Sequence, residues 1–322
     1  MSGARRSNFT AQSTTEEVLS GIDLTGRVAI VTGASGGLGE ETARALASRG
    51  CAVTIAARDE AKLEKAALRI QERCPNARVD VGLLELSQPA SVESFARRWL
   101  QDHGPLHLLI LNAGIMACPL LRTDEGWEMQ FATNHLGHFL LTARLIERLR
   151  QSAPVRVIVL SSGGHVISPV VFDDIHFERR DYDPWSSYGQ AKTANVLFAS
   201  ELDRRERASG VRAHAVHPGV IHTDLGRHLT PEAIRSIVER ATEGGAETPK
   251  TVEQGAATSV WAATAPELDG QGGLYLADCG IPAAPEAGGK GAAVHARDAD
   301  AAARLWAVSE ETLDVSFPRS AN

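Results

Sequence analysis

The stretch VTGASGGLGEETARAL, residues 31–46, decides the fold. It closes a β-branched run, turns on glycines and opens an amphipathic pattern. Gly33, Gly37 and Gly39 stand as Gly-x-x-x-Gly-x-Gly. A turn this tight needs residues without Cβ, so that the backbone can approach a pyrophosphate closely. The helix that follows offers unpaired N–H groups and a partial positive charge at its start. No lysine follows the glycines in Walker fashion, so a P-loop is not expected. The reading is a strand–turn–helix unit that seats a dinucleotide, with Ser35 and Leu38 in the same turn among its contacts. A purely structural glycine turn is the competing reading.

Outward from this unit a rhythm sets in. Short apolar runs alternate with longer amphipathic stretches. The runs are RVAIVTG (27–33), AVTIAA (52–57), RVDVGLL (78–84), LHLLIL (106–111), VRVIVLS (155–161), VRAHAVH (211–217) and GGLYLA (272–277). Between them EETARALASRG (40–50) and ASVESFARRWLQDHG (90–104) have helical spacing and end on glycine, a common helix stop. The strands are almost continuously apolar, which suits a parallel sheet covered on both faces. The expected fold is α/β: a Rossmann-like, doubly wound parallel sheet of seven strands in a single domain. Its ligand crevice should lie at the carboxyl ends of the strands.

Two segments depart from the rhythm. Residues 225–250 read as an insertion, with Thr230-Pro231 as a helix start, Ile234, Ile237, Val238 and Ala241 at helical spacing, and Gly244-Gly245 as the stop. Its apolar residues form either the underside of a substrate lid or a face packed on the core. Residues 280–296 read as loop. Residues 1–24 read as a polar lead-in, in which Thr14 and Glu17 form a capping box for one short helix, and residues 25–322 as the single domain.

Composition narrows the function classes. The 322 residues are 43% hydrophobic and 23% charged, with a net charge of -7. A clustered basic excess is lacking, so neither nucleic acid nor an anionic membrane is an expected partner. Cys51, Cys74, Cys118 and Cys279 form no Cys-x-x-Cys pair and no zinc spacing, so no metal site is expected. They read as reduced thiols of a cytoplasmic protein. No signal peptide is visible, and no run approaches the ~20 apolar residues that span a bilayer.

The second strand ends AARDEAKL. An acid commonly stands there in NAD-binding folds, to hold the adenosine ribose. Here the position is Ala57, followed by Arg58, whose guanidinium suits a 2′-phosphate. NADP is therefore favoured, with NAD possible if Asp59 serves a ribose instead.

The segments TGASGGLG (32–39), LNAG (111–114), TNHLGHF (133–139), VLSSGGH (159–165), YGQAK (188–192) and HPGVIHT (217–223) follow one another in the order seen in the short-chain dehydrogenase/reductase family, which the chain resembles over roughly residues 25–280. The resemblance is closest to the branch of retinol dehydrogenases and WW-domain oxidoreductases. It implies a catalytic tetrad of Asn134, Ser162, Tyr188 and Lys192, with Ser161 as the alternative serine. It implies that Asn112, Ala113 and Gly114 border the adenine ribose. Pro218, Gly219 and Thr223 would wrap the nicotinamide and phosphates, with Tyr188 and Lys192 also at the cofactor. In the family the asparagine distorts its helix and holds a water linked to the lysine. The departures are Leu111 in LNAG, Glu85 where an aspartate commonly meets adenine, and Ala191 before the lysine. No counterpart of the membrane anchor of vertebrate retinol dehydrogenases is read here.

The chemistry of the pair is simple to state. A free tyrosine has a pKa of about 10, high for proton transfer near neutrality. Lys192 follows Tyr188 by one helical turn, on the same face. Its charge, to which an oxidised nicotinamide adds more, is expected to lower the tyrosine by roughly two to three units, about 3–4 kcal/mol. It would also bond the nicotinamide ribose. The Ser162 hydroxyl would polarise the substrate oxygen. His165, His217, His135 and His138 read as structural or packing histidines, although His165 is placed to border the pocket.

The substrate pocket is expected among residues 163–187, Val220–His222 and 225–250, with Val166, Ile167, Pro184, Trp185 and Ile221 as apolar walls. FERRDYDPW (177–185) lengthens the path from Ser162 to Tyr188 and reads as a substrate-side loop. The expected function is interconversion of an apolar alcohol and its ketone or aldehyde, by a protein that forms a homo-oligomer if anything. Two alternatives stand beside it. One is a catalytically silent dinucleotide-binding redox sensor. The other is related chemistry on the same scaffold, such as reduction of a porphyrin-like double bond or sugar epimerisation. A sensor has no need of an intact serine, tyrosine and lysine.

Overall fold

The computed structural model describes residues 7–221, 224–226, 249–285 and 290–318. All seven apolar runs form strands: β1 Val28–Thr32, β2 Ala52–Ala57, β3 Val79–Leu83, β4 Leu108–Leu111, β5 Val155–Leu160, β6 Val211–His217 and β7 Leu274–Ala277. They make one parallel sheet in the order β3-β2-β1-β4-β5-β6-β7. The winding reverses between β1 and β4, which places the crevice there, at the strands' carboxyl ends.

Two strands, β4 and β7, begin two residues into their apolar runs. Before β4 the amide of Leu106 is taken by the Ser152 hydroxyl at 2.9 Å, off the ladder. Before β7 Gly273 has φ +70, outside strand geometry.

The helices start where their caps dictate. Helix α1 (Thr15–Val18) has the Thr14–Glu17 capping box. Helix α2 (Gly37–Ala47) begins in the glycine turn. Helix α3 (Glu60–Arg73) is capped by Asp59, and α4 (Pro89–Asp102) starts on proline. A single turn, Met129–Phe131, runs into a π-helical segment, Ala132–Leu136, and then into α5 (Gly137–Gln151). Helix α6 (Pro184–Glu206) is capped by Asp183 with proline at its start. Helix α7 (Val252–Thr264) has a Thr251–Gln254 capping box, and α8 (Ala299–Leu313) is capped by Asp298.

Alternate residues of the strands feed two cores. Leu109, Leu111, Val157 and Val159 face α4, α5 and α6, where Phe95, Phe139 and Phe198 are buried. Leu108, Ile110, Ile158 and Leu160 face α2, α3 and α7. That two-sided burial is why the runs lack polar alternation.

The segment read as a polar lead-in has a buried side. Val18, Leu19 and Leu24 enter the second core, and Thr15 donates to the buried Glu41 carboxylate at 2.6 Å. At the other end α8 lies on α6, with the Trp306 ring centroid 5.1 Å from that of Phe139 and 4.3 Å from that of Phe317. Thr230, Pro231, Ile234, Ile237, Val238, Ala241, Gly244 and Gly245, on which the lid reading rests, lie outside the described residues.

Candidate active site

A cleft of about 1270 Å³ runs across the carboxyl ends of the strands. The glycine turn forms one wall. Gly33 has φ +67, and a Cβ there would stand 2.7 Å from the Ala113 Cα. A Cβ on Gly39 would stand 2.5 Å from the Gly33 carbonyl oxygen and from Asn112 Nδ2. These two glycines therefore let the turn close on the LNAG segment. Gly36 is different: a Cβ there would meet no protein atom and would enter the cleft. Helix α2 starts at this point without a side-chain cap, so its first amides are left for a ligand. Gly33, Ser35, Gly37, Leu38 and Gly39 all line the cleft.

Arg58 stands at the far end, just past β2, and Glu85 lies across from it with 3.7 Å between guanidinium and carboxylate. Asp59 has a separate task. Its carboxylate accepts from the Lys62 amide at 3.0 Å and caps α3. Asn112, Ala113 and Gly114 follow β4 along the cleft. The Asn112 side chain is turned to the protein, donating to the carbonyl of Thr32 at 2.8 Å and of Gly33 at 3.3 Å.

Asn134 lies in the π-helical segment and is fully buried. Both ends of its amide hold Ile115: the Ile115 N–H donates to Oδ1 at 2.8 Å, and Nδ2 donates to the Ile115 carbonyl at 2.9 Å. The wider π turn carries this side chain across to the loop after β4. His138 donates from Nδ1 to the Asn134 carbonyl at 3.1 Å and packs, buried, against Thr32. Asn134 and Lys192 meet at Gly114, where a Cβ would stand 3.1 Å from Asn134 Oδ1 and 3.5 Å from Lys192 Nζ.

Ser162, Tyr188 and Lys192 line the same end of the cleft. Gly164 lies flat on the Tyr188 ring, leaving 2.9 Å for any Cβ. The ammonium of Lys192 is 5.7 Å from the Tyr188 ring centroid and donates to the Leu160 carbonyl at 3.0 Å. Burial pushes the Tyr188 phenol up to about 12, and a hydrogen bond from the Ser162 hydroxyl works against that rise. Burial pushes Lys192 down to about 8. The expected lowering of Tyr188 is thus reversed in the folded chain. Desolvation by burial is the leading cause of both shifts.

His165 is packed and borders the cleft as well. Its Nδ1 donates to the Ser162 carbonyl at 2.7 Å, and its Nε2 accepts from the Ala293 amide at 3.0 Å. His217 Nδ1 accepts from the Gly163 amide at 3.0 Å. His135 is buried among Phe131, Phe139 and Phe198. Pro218 and Gly219 line the cleft, and Thr223 lies outside the described residues. Among the described residues no three His, Cys, Asp or Glu side chains gather as metal ligands, and the four cysteines are free thiols. No helix among them is long and apolar enough to cross a membrane.

Val166, Ile167, Trp185 and Ile221 line the cleft as expected, but Pro184 does not. Other wall residues were not legible in the sequence. Met116 follows LNAG, Tyr275 comes from β7, and Pro285, Lys290 and Gly291 come from the segment read only as loop. The hydrogen bonds from the Ala293 amide to His165 Nε2 and from His295 Nε2 to the His165 carbonyl (2.9 Å) draw that segment to the cleft. Such a contact between residues 128 apart has no local sequence signal.

Known proteins resemble this chain in sequence and fold. The family model described as short chain dehydrogenase matches residues 27–233. A Streptomyces lividans protein named "Probable oxidoreductase" is 46% identical over 301 residues, 91% of this chain and 99% of that protein. Retinol dehydrogenase 12 of Homo sapiens is 41% identical over 296 residues, 92% of this chain and 89% of its own. The crystal structure of a Mycobacterium paratuberculosis protein superposes with a TM-score of 0.72 at 34% identity, covering 95% of this chain and 99% of that one. With its family match, its relatives and its sheet order, the chain belongs to the short-chain dehydrogenase family of oxidoreductases, on the retinol-dehydrogenase-like branch.

Proposed function

We propose that the protein is an NADP(H)-preferring oxidoreductase that interconverts an apolar alcohol and its ketone or aldehyde. One observation carries the reading: Ser162, Tyr188 and Lys192 stand together at one end of a cleft whose other end holds the glycine turn and Arg58. The residues fit a dinucleotide. The uncapped start of α2 suits the pyrophosphate, and the space at Gly36 admits it. Arg58 suits a 2′-phosphate by paired charge-assisted bonds, and Asp59, occupied as a cap, does not compete for a ribose. When bound, the nicotinamide supplies or accepts the hydride.

The chain's own residues handle the proton. In reduction, the Ser162 hydroxyl donates to the carbonyl oxygen of the substrate and holds it beside Tyr188. Tyr188, protonated at neutral pH and held the more firmly so by burial, gives its proton to that oxygen. Lys192 keeps its charge at pH 7 despite burial and favours the phenolate left behind. In oxidation the same groups run in reverse. Asn134 holds the loop after β4 in place beside Lys192. Val166, Ile167, Trp185 and Ile221 make the substrate end apolar.

The test is consumption of NADPH and NADH by the purified protein over a panel of apolar ketones, aldehydes and alcohols. Faster turnover with NADPH on at least one apolar carbonyl is expected. Tight NADPH binding with no turnover across the panel would favour the redox sensor instead.

A further inference from the structure

The carbonyl of Leu160, at the carboxyl end of β5, accepts two side-chain hydrogen bonds. One comes from Lys192 Nζ at 3.0 Å and the other from Asn195 Nδ2 at 2.8 Å. Lys192 and Asn195 stand three residues apart on α6, so both reach the same strand end. Both are buried. We propose that Asn195 is a positioning residue for Lys192: by sharing the Leu160 carbonyl it fixes where the lysine ammonium sits in the cleft. The importance of that position rests on the functional reading above.

The argument is one of satisfied groups. A carbonyl oxygen has two lone pairs, and an ammonium has three N–H groups. Asn195 takes one lone pair and leaves Lys192 the other. Its rigid amide also pins the peptide plane against which the flexible lysine rests. The remaining lysine N–H groups then have a defined direction, beside Gly114 and Asn134.

His135 stands behind Asn195. The Oδ1 of Asn195 and the Nδ1 of His135 are both buried, and neither makes a hydrogen bond. The Asn195 oxygen favours a proton on the His135 ring, although burial outweighs it and pushes the imidazole down to about 3. The ring is therefore neutral and carries one N–H. The Ser309 hydroxyl of α8 donates its hydrogen to the Leu305 carbonyl at 2.8 Å, so the ring N–H is on Nε2 and donates to the Ser309 oxygen at 2.8 Å. The π-helical segment thus sends two consecutive side chains to the lysine region. Asn134 holds the loop after β4, and His135 packs beside Asn195. The titratable groups about Lys192 are Tyr188 on α6 and His138 on α5, the latter pushed down to about 3 by burial.

The test uses the full chain with Asn195→Leu, which keeps the bulk and removes the amide, and Asn195→Ala should the leucine variant not fold. Lys192 is titrated by competitive acetylation read by mass spectrometry, and NADPH affinity by fluorescence. In a folded variant the labelling midpoint of Lys192 should move by about half a pH unit or more, and NADPH should bind roughly three- to tenfold more weakly. A folded variant with the wild-type midpoint and wild-type affinity overturns the proposal. Neither measurement needs a substrate. A protein without turnover on any carbonyl would end the functional reading and leave this test standing. An unmoved Lys192 would end this inference and leave the oxidoreductase reading intact.

Discussion

The Ser161 hydroxyl donates to the backbone carbonyl of Lys192 at 2.8 Å, although Ser161 lines the cleft beside Ser162. The one hydroxyl hydrogen of Ser161 is thus committed to the backbone, so Ser162 is the serine expected to meet the substrate. Ser161→Ala should keep most turnover and cost about 1 kcal/mol of stability. Ser162→Ala should lose roughly 10²-fold or more in kcat with the melting temperature nearly unchanged. Steady-state rates set against thermal melts separate the two serines.

Tyr188→Phe removes only the phenolic oxygen from a buried ring. Turnover should fall roughly 10²- to 10⁴-fold, as for loss of a general acid. NADPH affinity should stay within a few-fold of wild type. Full activity in this variant would exclude Tyr188 as the proton donor.

Lys192 links the site to stability. Its folded pKa of about 8 lies below its ordinary 10.5, because burial opposes the charge. Between those values the folded chain binds fewer protons than the unfolded chain, so stability rises with pH. The contribution is complete above pH 10.5 and is lost as pH falls through 8. Lys192→Met is free of this penalty. Relative to wild type it should be more stable at pH 7 than at pH 10, by up to roughly 3 kcal/mol. Denaturant melts of both proteins across that range measure the difference, and a flat difference would speak against it.

Arg58→Ala should cut the preference for NADPH over NADH by roughly tenfold or more, the value of a hydrogen bond to a charged group. NADH affinity should change little. Dissociation constants for the two cofactors check this, and an untouched ratio would remove Arg58 from the 2′-phosphate site.

Two glycines of one turn should behave differently. Gly39→Ala places a Cβ 2.5 Å from the Gly33 carbonyl, against backbone that cannot yield, so little folded protein is expected. Gly36→Ala meets open space, and its φ of 177 suits any residue. That variant should fold normally and bind NADPH more weakly, because its methyl group enters the cleft. Circular dichroism and cofactor titration distinguish the two outcomes.

Much of the fold could be read locally. Seven apolar runs announced a sheet with two covered faces, because alternate residues of the inner strands feed separate cores. The glycine turn was legible because Gly33 and Gly39 occupy positions that a Cβ would forbid. Tyr188 and Lys192 were legible as a pair because helical spacing alone puts them on one face. Which way Asp59 served was not, since a carboxylate beside a strand end can cap a helix or meet a ribose, and the start of α3 decided it.

What the amino-acid order determined by itself was therefore the periodic part: strands, helices, the glycine turn and the tyrosine–lysine spacing. Tertiary structure alone decided which serine hydroxyl is committed to the backbone, how the π turn aims Asn134, and how burial moves Tyr188 up and Lys192 down. It also brought Ser309 to His135 across 174 residues of chain. The reason is physical. Backbone geometry repeats over a few residues and is written in local spacing. Desolvation and the pairing of buried polar groups depend on neighbours that only the completed packing supplies.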